Sequence, residues 1–248
     1  MVSFNCKDAR VNTFIQVGNR KRQEDHLNVD SENGIYIICD GVGGLQNGDL
    51  ASRTIIQSIT SNYLSLQHPI NQSQLKKLII QAQVDLKITL AKLDNKSVAA
   101  STICLLYIYN RSAIILHVGD SRGYYFNVNT RELFSTKDHT IARQLQDAKI
   151  LTTDREVANH AFNSKLYRSI SSNITLTSNS IDVKVIDSIT SGDIFFLCTD
   201  GVTEVYYYDR LKLAFSSMNN YEVCFKNIKS ECNDYSADNN SAIIIQIV

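Results

Sequence analysis

The sequence predicts an α+β domain in which antiparallel β-sheets are layered against helices, rather than a doubly wound parallel sheet. Three observations predict it. Short runs rich in β-branched and aromatic residues are bounded by Asn, Asp, Ser or Gly, as strands are. The helical stretches come in consecutive pairs between groups of strands instead of alternating with them. One proline and ten glycines in 248 residues leave no linker-like segment, so one domain is expected over residues 1–248.

In chain order, strands are expected at "RVNTFIQVG" (10–18) and "IYIICD" (35–40). Two helices follow, at about 49–66 and 72–93. In the second, Leu75, Leu78, Ile79, Ala82, Leu86 and Leu90 recur at three- and four-residue steps, the spacing of one helix face. "ASTICLLYIY" (100–109), "SAIILHVGD" (112–120) and "GYYFNV" (123–128) read as further strands, followed by a polar surface stretch, "TTDREVANH" (152–160). "IDVKVI" (181–186) and "DIFFLCTD" (193–200) are strands again. A second helical pair, near 209–217 and 221–232, precedes the closing strand "SAIIIQIV" (241–248).

Lys plus Arg and Asp plus Glu number 25 each, so nothing in the overall charge points to a nucleic-acid or membrane surface. No basic stripe with interleaved aromatics is present, which argues against nucleic acid. Cys6, Cys39, Cys104, Cys198, Cys224 and Cys232 form no CxxC pair, and several lie in apolar runs where cysteine packs as a small hydrophobe. They read as reduced thiols. The opening "MVSFNCKDARVNTF" lacks the apolar centre of a signal peptide, and no segment has the length of apolar residues that spans a bilayer. A cytoplasmic location is expected.

The chemistry concentrates in acidic residues with a shared setting. "RKRQEDH" carries Glu24 and Asp25, "IICDGVGG" Asp40, "HVGDSRG" Asp120, "FLCTDGVTE" Asp200 and "SADNNSA" Asp238. Asp40, Asp120 and Asp200 end or closely follow apolar runs, and Gly41 and Gly201 come directly after two of them. One Asp-Gly after a strand is an ordinary turn. Several carboxylates gathered at one edge of a core would repel one another and lose solvation, so they must be protonated or share cations. Mg²⁺ or Mn²⁺, which take oxygen ligands, answer that need, and a glycine lets a backbone carbonyl join the shell.

The order "GNRKRQEDH", "CDGVGG", "STICLLYI", "VGDSRGY", "KDHT", "LYRSIS", "LCTDGVTE", "DNNSAIIIQIV" resembles the metal-dependent PPM, or protein phosphatase 2C-like, family, in its compact bacterial form with only the catalytic domain. The resemblance covers nearly the whole chain. It implies a four-layer αββα sandwich of two antiparallel sheets packed face to face and flanked by pairs of helices.

It also implies roles. Asp40 looks like the ligand bridging two Mn²⁺ or Mg²⁺ ions, with the Gly41 carbonyl completing one shell and Asp200 and Asp238 holding the other ion. Asp120 resembles the residue that, with Asp200, holds a third, weaker ion. Glu24 and Asp25 resemble the acidic pair that orients metal-bound waters, and Arg20 the arginine that grips the substrate phosphate bidentately. Hydrolysis would then proceed by direct attack of water activated between the two ions, with no phosphoenzyme. Lys21 and Arg22 read as solvated charges.

Three positions depart from the family pattern. Val42 stands where eukaryotic relatives carry a histidine, which leaves the general acid unassigned; His26 is the nearest histidine to a motif, and His117, His139 and His160 read as packing or flap residues. Gln23 replaces an asparagine but keeps an amide. "LYRSIS" lacks the family's glycine, next to a segment of about 145–163 that matches a mobile flap. The expected function is a protein serine/threonine phosphatase acting on phosphorylated proteins, the targets of a serine/threonine kinase. A catalytically silent binding module and a hydrolase of small phosphomonoesters are the alternatives.

Overall fold

The computed structural model describes residues 9–42, 47–93, 98–218 and 220–248. Cys6 and two glycines of "DGVGG", Gly43 and Gly44, lie outside them. One five-stranded sheet has β1 (Ala9–Gln16), β12 (Asn240–Ile247), β11 (Ile194–Cys198), β7 (Arg122–Asn127) and β8 (Glu132–Ser135) in that spatial order. The other has β10 (Asp182–Ile186), β6 (Ser112–Val118), β5 (Ile103–Tyr109), β3 (Ile35–Asp40) and β2 (Asp25–Asp30). Every pairing in both is antiparallel. β4 (Ala100–Ser101) and β9 (Ile170–Ser171) form a short separate ladder.

Period-two patterning sorts the strand residues into layers. Tyr36 and Ile38 of β3, Phe195 and Leu197 of β11, and Ile243, Ile245 and Ile247 of β12 meet in a core between the two sheets. Their neighbours face outward. Ile35, Ile37 and Cys39 pack under α1 (Gly48–Tyr63) and α2 (Gln72–Leu93), against Ala51, Ile55, Ile59, Leu75, Ile79 and Leu86. On the far side, Ile194, Phe196, Cys198, Ala242 and Ile244 pack under α5 (Asp200–Val205), α6 (Tyr208–Ser216) and α7 (Tyr221–Tyr235), against Val202, Leu211, Phe215 and Ile228. The layers therefore run helix, sheet, sheet, helix, as expected. Each fully buried Ile, Leu or Phe contributes about 1.5–3 kcal/mol of transfer free energy, so both faces of both sheets stabilise the fold.

Several elements were not legible in the sequence. β2 reads "DHLNVD", too polar for a strand pattern, and is held by register with β3, Asp25 opposite Asp40. β8 is short, and α5 starts at Asp200 itself, on a segment that reads as the tail of a strand. α4 (Asp154–Ala158) lies in the polar stretch and α3 (Ile141–Asp147) ahead of it; both are capped by threonine, α4 through a full capping box between Thr153 and Glu156.

Topology gathers the acidic residues. In an antiparallel sheet the end of one strand lies beside the start of the next, so β3 ends where β2 starts, β11 ends where β12 starts, and Gln16 at the end of β1 pairs with Asn240. Asp25, Asp40, Asp200 and Asp238 sit at or next to these junctions, and Asp120 sits in the turn from β6 to β7.

Candidate active site

A cleft of about 710 Å³ opens at that end, lined by Arg20, Glu24, Asp40, Gly41, Asp120, Asp200 and Asp238 together with Asn19, Lys21, Arg22 and Asn239. Of the residues to which the resemblance gives catalytic or metal-binding roles, only Asp25 lies outside the lining. It sits behind it, 1% exposed. No histidine lines the cleft among the described residues. His26 faces α1 instead, its Nδ1 3.0 Å from Ser52 Oγ and its Nε2 3.5 Å from Asp49, and the position of Val42 is in the lining.

Asp40 is held by its backbone. Its N–H donates to Thr102 Oγ1 at 3.0 Å, and its carbonyl accepts from Thr102 N–H and Ser101 Oγ, both at 2.8 Å. Thr102 Oγ1 is also 2.6 Å from Ser121 Oγ, so the "GDSR" turn and the end of β3 share one clamp. The next "GDSR" residue, Arg122, makes a two-point ion pair with Asp138 of "KDHT" at 2.6 and 2.5 Å, which fixes the turn carrying Asp120. Gly41 is required by close approach, since a Cβ there would lie 2.4 Å from the backbone of Gly48.

Asp25 Oδ2 accepts from Thr199 Oγ1 at 2.9 Å and Ser241 Oγ at 2.8 Å, a bond set that joins the two sheets directly beneath the cleft. Gln23 Oε1 accepts from the Asp25 N–H at 2.9 Å, so the substituted amide does support the acidic pair. Glu24 presents its carboxylate to the start of α1, where a Cβ on Gly48 would lie 2.9 Å from Oε2; the helix N-terminus favours a negative charge there. Asn239 was not singled out, yet it organises the rim. Its Oδ1 accepts from Glu24 N–H at 2.8 Å, and its Nδ2 donates to the carbonyls of Val17 at 2.8 Å and Arg22 at 2.9 Å. Gly18, at φ +58°, seats the loop on the Asp238 carbonyl. Arg20 forms an ion pair with Asp238 at the mouth.

The carboxylates disturb one another. Burial, then the charges of Asp25, Asp200 and Asp120, hold the Asp40 carboxyl well above the usual range. Burial and Asp200 do the same to Asp120. Burial raises Asp25 to about 7, against the Ser241 and Thr199 hydrogen bonds, and burial with the Asp238 charge raises Asp200 to about 6. Asp25 Oδ1 and Asp200 Oδ1 are buried without a hydrogen-bond partner. Hard oxygen donors, mutual repulsion and unpartnered buried carboxylate oxygens together fit divalent cations.

A stability prediction follows. A carboxyl whose folded pKa lies above its unfolded value binds more protons folded than unfolded, so chelated protein loses stability as pH rises from about 4 toward 7. Melting curves in chelator should fall between pH 5 and pH 8, and added Mn²⁺ should raise the melting temperature more at pH 8. A chelated melting temperature that rises across that range contradicts the repulsion.

A second donor group, His117, His139 and Asp182, has ligand atoms within 4.8 Å of one another. Its geometry does not suit an ion. The imidazoles are stacked at 4.6 Å with 16° between their planes, so in-plane lone pairs cannot converge. Gly119 N–H donates to His139 Nδ1, which places the ring proton on Nε2 toward Asp182, and the Arg168 guanidinium already sits 3.0 Å from Asp182. The group joins β6, the "KDHT" loop and "LYRSIS", consistent with packing histidines.

Residues 16–236 match the family model described as protein phosphatase 2C. The chain belongs to the protein phosphatase 2C family. A curated relative, "Serine/threonine phosphatase stp" of Listeria welshimeri, is 22% identical over 85% of this chain and 83% of its own length. Among solved structures, the Mycobacterium tuberculosis serine/threonine phosphatase PstP/Ppp superposes with TM-score 0.83 at 19% identity, covering 96% of this chain and 98% of the other. A structure of the PstP catalytic domain in complex with two manganese ions gives TM-score 0.80 at 18% identity, covering 97% and 98%. The family resemblance and the two-sheet α+β architecture expected from the motifs are thus borne out. No helix among the described residues of this phosphatase 2C chain is long and apolar enough to cross a membrane.

Proposed function

We infer that the chain is a metal-dependent protein serine/threonine phosphatase with its active site in the acidic cleft. The observation that carries this is the convergence of Asp40, Asp120, Asp200 and Asp238, with the Gly41 backbone, on one cleft whose mouth holds Arg20. Asp40 would serve two Mn²⁺ or Mg²⁺ ions, the Gly41 carbonyl one of them, Asp200 and Asp238 the other, and Asp120 with Asp200 a third. When bound, such ions supply Lewis acidity, lowering the pKa of water and offsetting charge on phosphoryl oxygens.

This chain's own residues do the rest. Arg20, more than half exposed at its side chain, has a guanidinium free to engage a phosphate once the Asp238 charge is taken up elsewhere. Glu24, at the start of α1, would accept hydrogen bonds from water in the cleft, and Asp25, buried behind the lining and anchored by two hydroxyls, would support it from below. Segment 145–163 would act as a flap, the chain as one catalytic domain, and its substrates would be proteins phosphorylated by a serine/threonine kinase in the cytoplasm. The full set of carboxylates favours turnover over a silent binding role.

Arg20→Lys should raise KM for a phosphopeptide about tenfold or more with a smaller change in kcat, because an ammonium cannot reproduce a two-point contact. Steady-state kinetics check this. The function itself is tested by comparing phosphothreonine and phosphoserine peptides with sugar phosphates and p-nitrophenyl phosphate under Mn²⁺. Peptides should give the higher kcat/KM, and preference for sugar phosphates would replace the protein-phosphatase reading with the metabolite one.

A further inference from the structure

The mouth of the cleft carries a feature that hydrolysis of a phosphomonoester does not require. Lys21 and Arg22 follow Arg20 along the rim, line the cleft and are exposed. Neither makes a side-chain ion pair among the described residues, in contrast to Arg20 with Asp238. They are nonetheless held in place, because the loop backbone is tied down by the Asn239 bonds to the Val17 and Arg22 carbonyls and by the seat of Gly18 on Asp238. Lining residues Ser164 and Leu166 flank Lys165, an exposed cation resting over the Phe162 ring.

Charge accounts for what such a rim would attract. Five carboxylates line the cleft against three rim cations; two divalent ions on the floor would turn that deficit of two into an excess of two. The cations line the same cleft as Arg20, one and two positions along the chain from it, so a phosphorylated residue gripped by Arg20 would bring its peptide neighbours to them. We propose that Lys21 and Arg22 are specificity-determining residues that select phosphoserine or phosphothreonine flanked by acidic side chains. The proposal rests on the protein-phosphatase reading of the site and adds the class of sequence it acts on.

The test uses purified full-length protein with Mn²⁺ and three phosphothreonine peptides of equal length, with glutamates, neutral residues or lysines within three positions of the phosphothreonine. The readout is the ratio of kcat/KM between the acidic and basic peptides, in which any general loss of activity cancels. Wild-type protein should favour the acidic peptide about tenfold, mainly through KM, with the preference shrinking as salt is added. The double variant Lys21→Glu, Arg22→Glu should reverse the order, and Lys21→Arg, Arg22→Lys should keep it. Hydrolysis of all three peptides at equal efficiency, or a preference unchanged by charge reversal, overturns the specificity role while leaving the phosphatase reading intact. Failure of the wild-type protein to hydrolyse any peptide overturns both.

Discussion

Asp40→Asn is expected to lower kcat/KM by at least about a thousandfold, the upper range for removing one preorganised electrostatic group, and at the same time to raise the melting temperature of the chelated protein. The two effects have one cause. Asp40 is half-buried on the cleft floor near Asp25, Asp200 and Asp120, whose charges all disfavour its ionisation. Asparagine keeps the shape, and the backbone bonds to Thr102 and Ser101 do not depend on the side chain. The variant therefore removes repulsion without opening a cavity, and with it the carboxylate assigned to both ions. Kinetics with Mn²⁺ and melting curves in chelator, measured on the same preparation, check the pair. Lost activity with a lowered melting temperature would mean that Asp40 serves the fold rather than the ions.

The second large effect is expected at Asn239, a residue with no assigned role in catalysis. Asn239→Ala leaves the Glu24 N–H and the Val17 and Arg22 carbonyls without their partner. Leaving a buried polar group unpaired costs about 1–3 kcal/mol; these three bonds are only part-buried, with Val17 and Arg22 exposed, so a combined loss of about 3 kcal/mol is expected in denaturant unfolding. Because the same bonds hold the loop carrying Arg20, KM for a phosphopeptide should rise as well. A variant of wild-type stability would show that the loop is held by Gly18 and the Arg20–Asp238 pair alone.

The sequence carried the fold where burial is two-sided or strongly periodic. α2 was legible to the residue because its buried face repeats at helical spacing, and β3, β11 and β12 because both of their faces are apolar. β2 was not, since its pairing with β3 comes from register rather than composition. The carboxylates were legible through the motifs around them and the strand ends they mark. Their supports were not. Thr199, Ser241, Thr102 and Asn239 are small polar residues whose importance lies in partners up to 222 positions away, as between Asn239 and Val17. The available signal is adjacency, Thr199 before Asp200 and Asn239 after Asp238, and it gains meaning only once the strand ends are brought together. The pairing of Arg122 with Asp138 likewise explains why "GDSR" and "KDHT" occur together, a link invisible in one dimension.

The central claim is that the acidic cleft is a metal-dependent phosphatase site. Its most direct test is phosphate release from a phosphothreonine peptide by the purified protein with Mn²⁺, with Mg²⁺ and with a chelator, alongside Asp200→Asn. Release should require the metal, stop in chelator and be lost in the variant. Release that persists in chelator or in Asp200→Asn would contradict the account, as would no release at all from folded, metal-supplied wild-type protein.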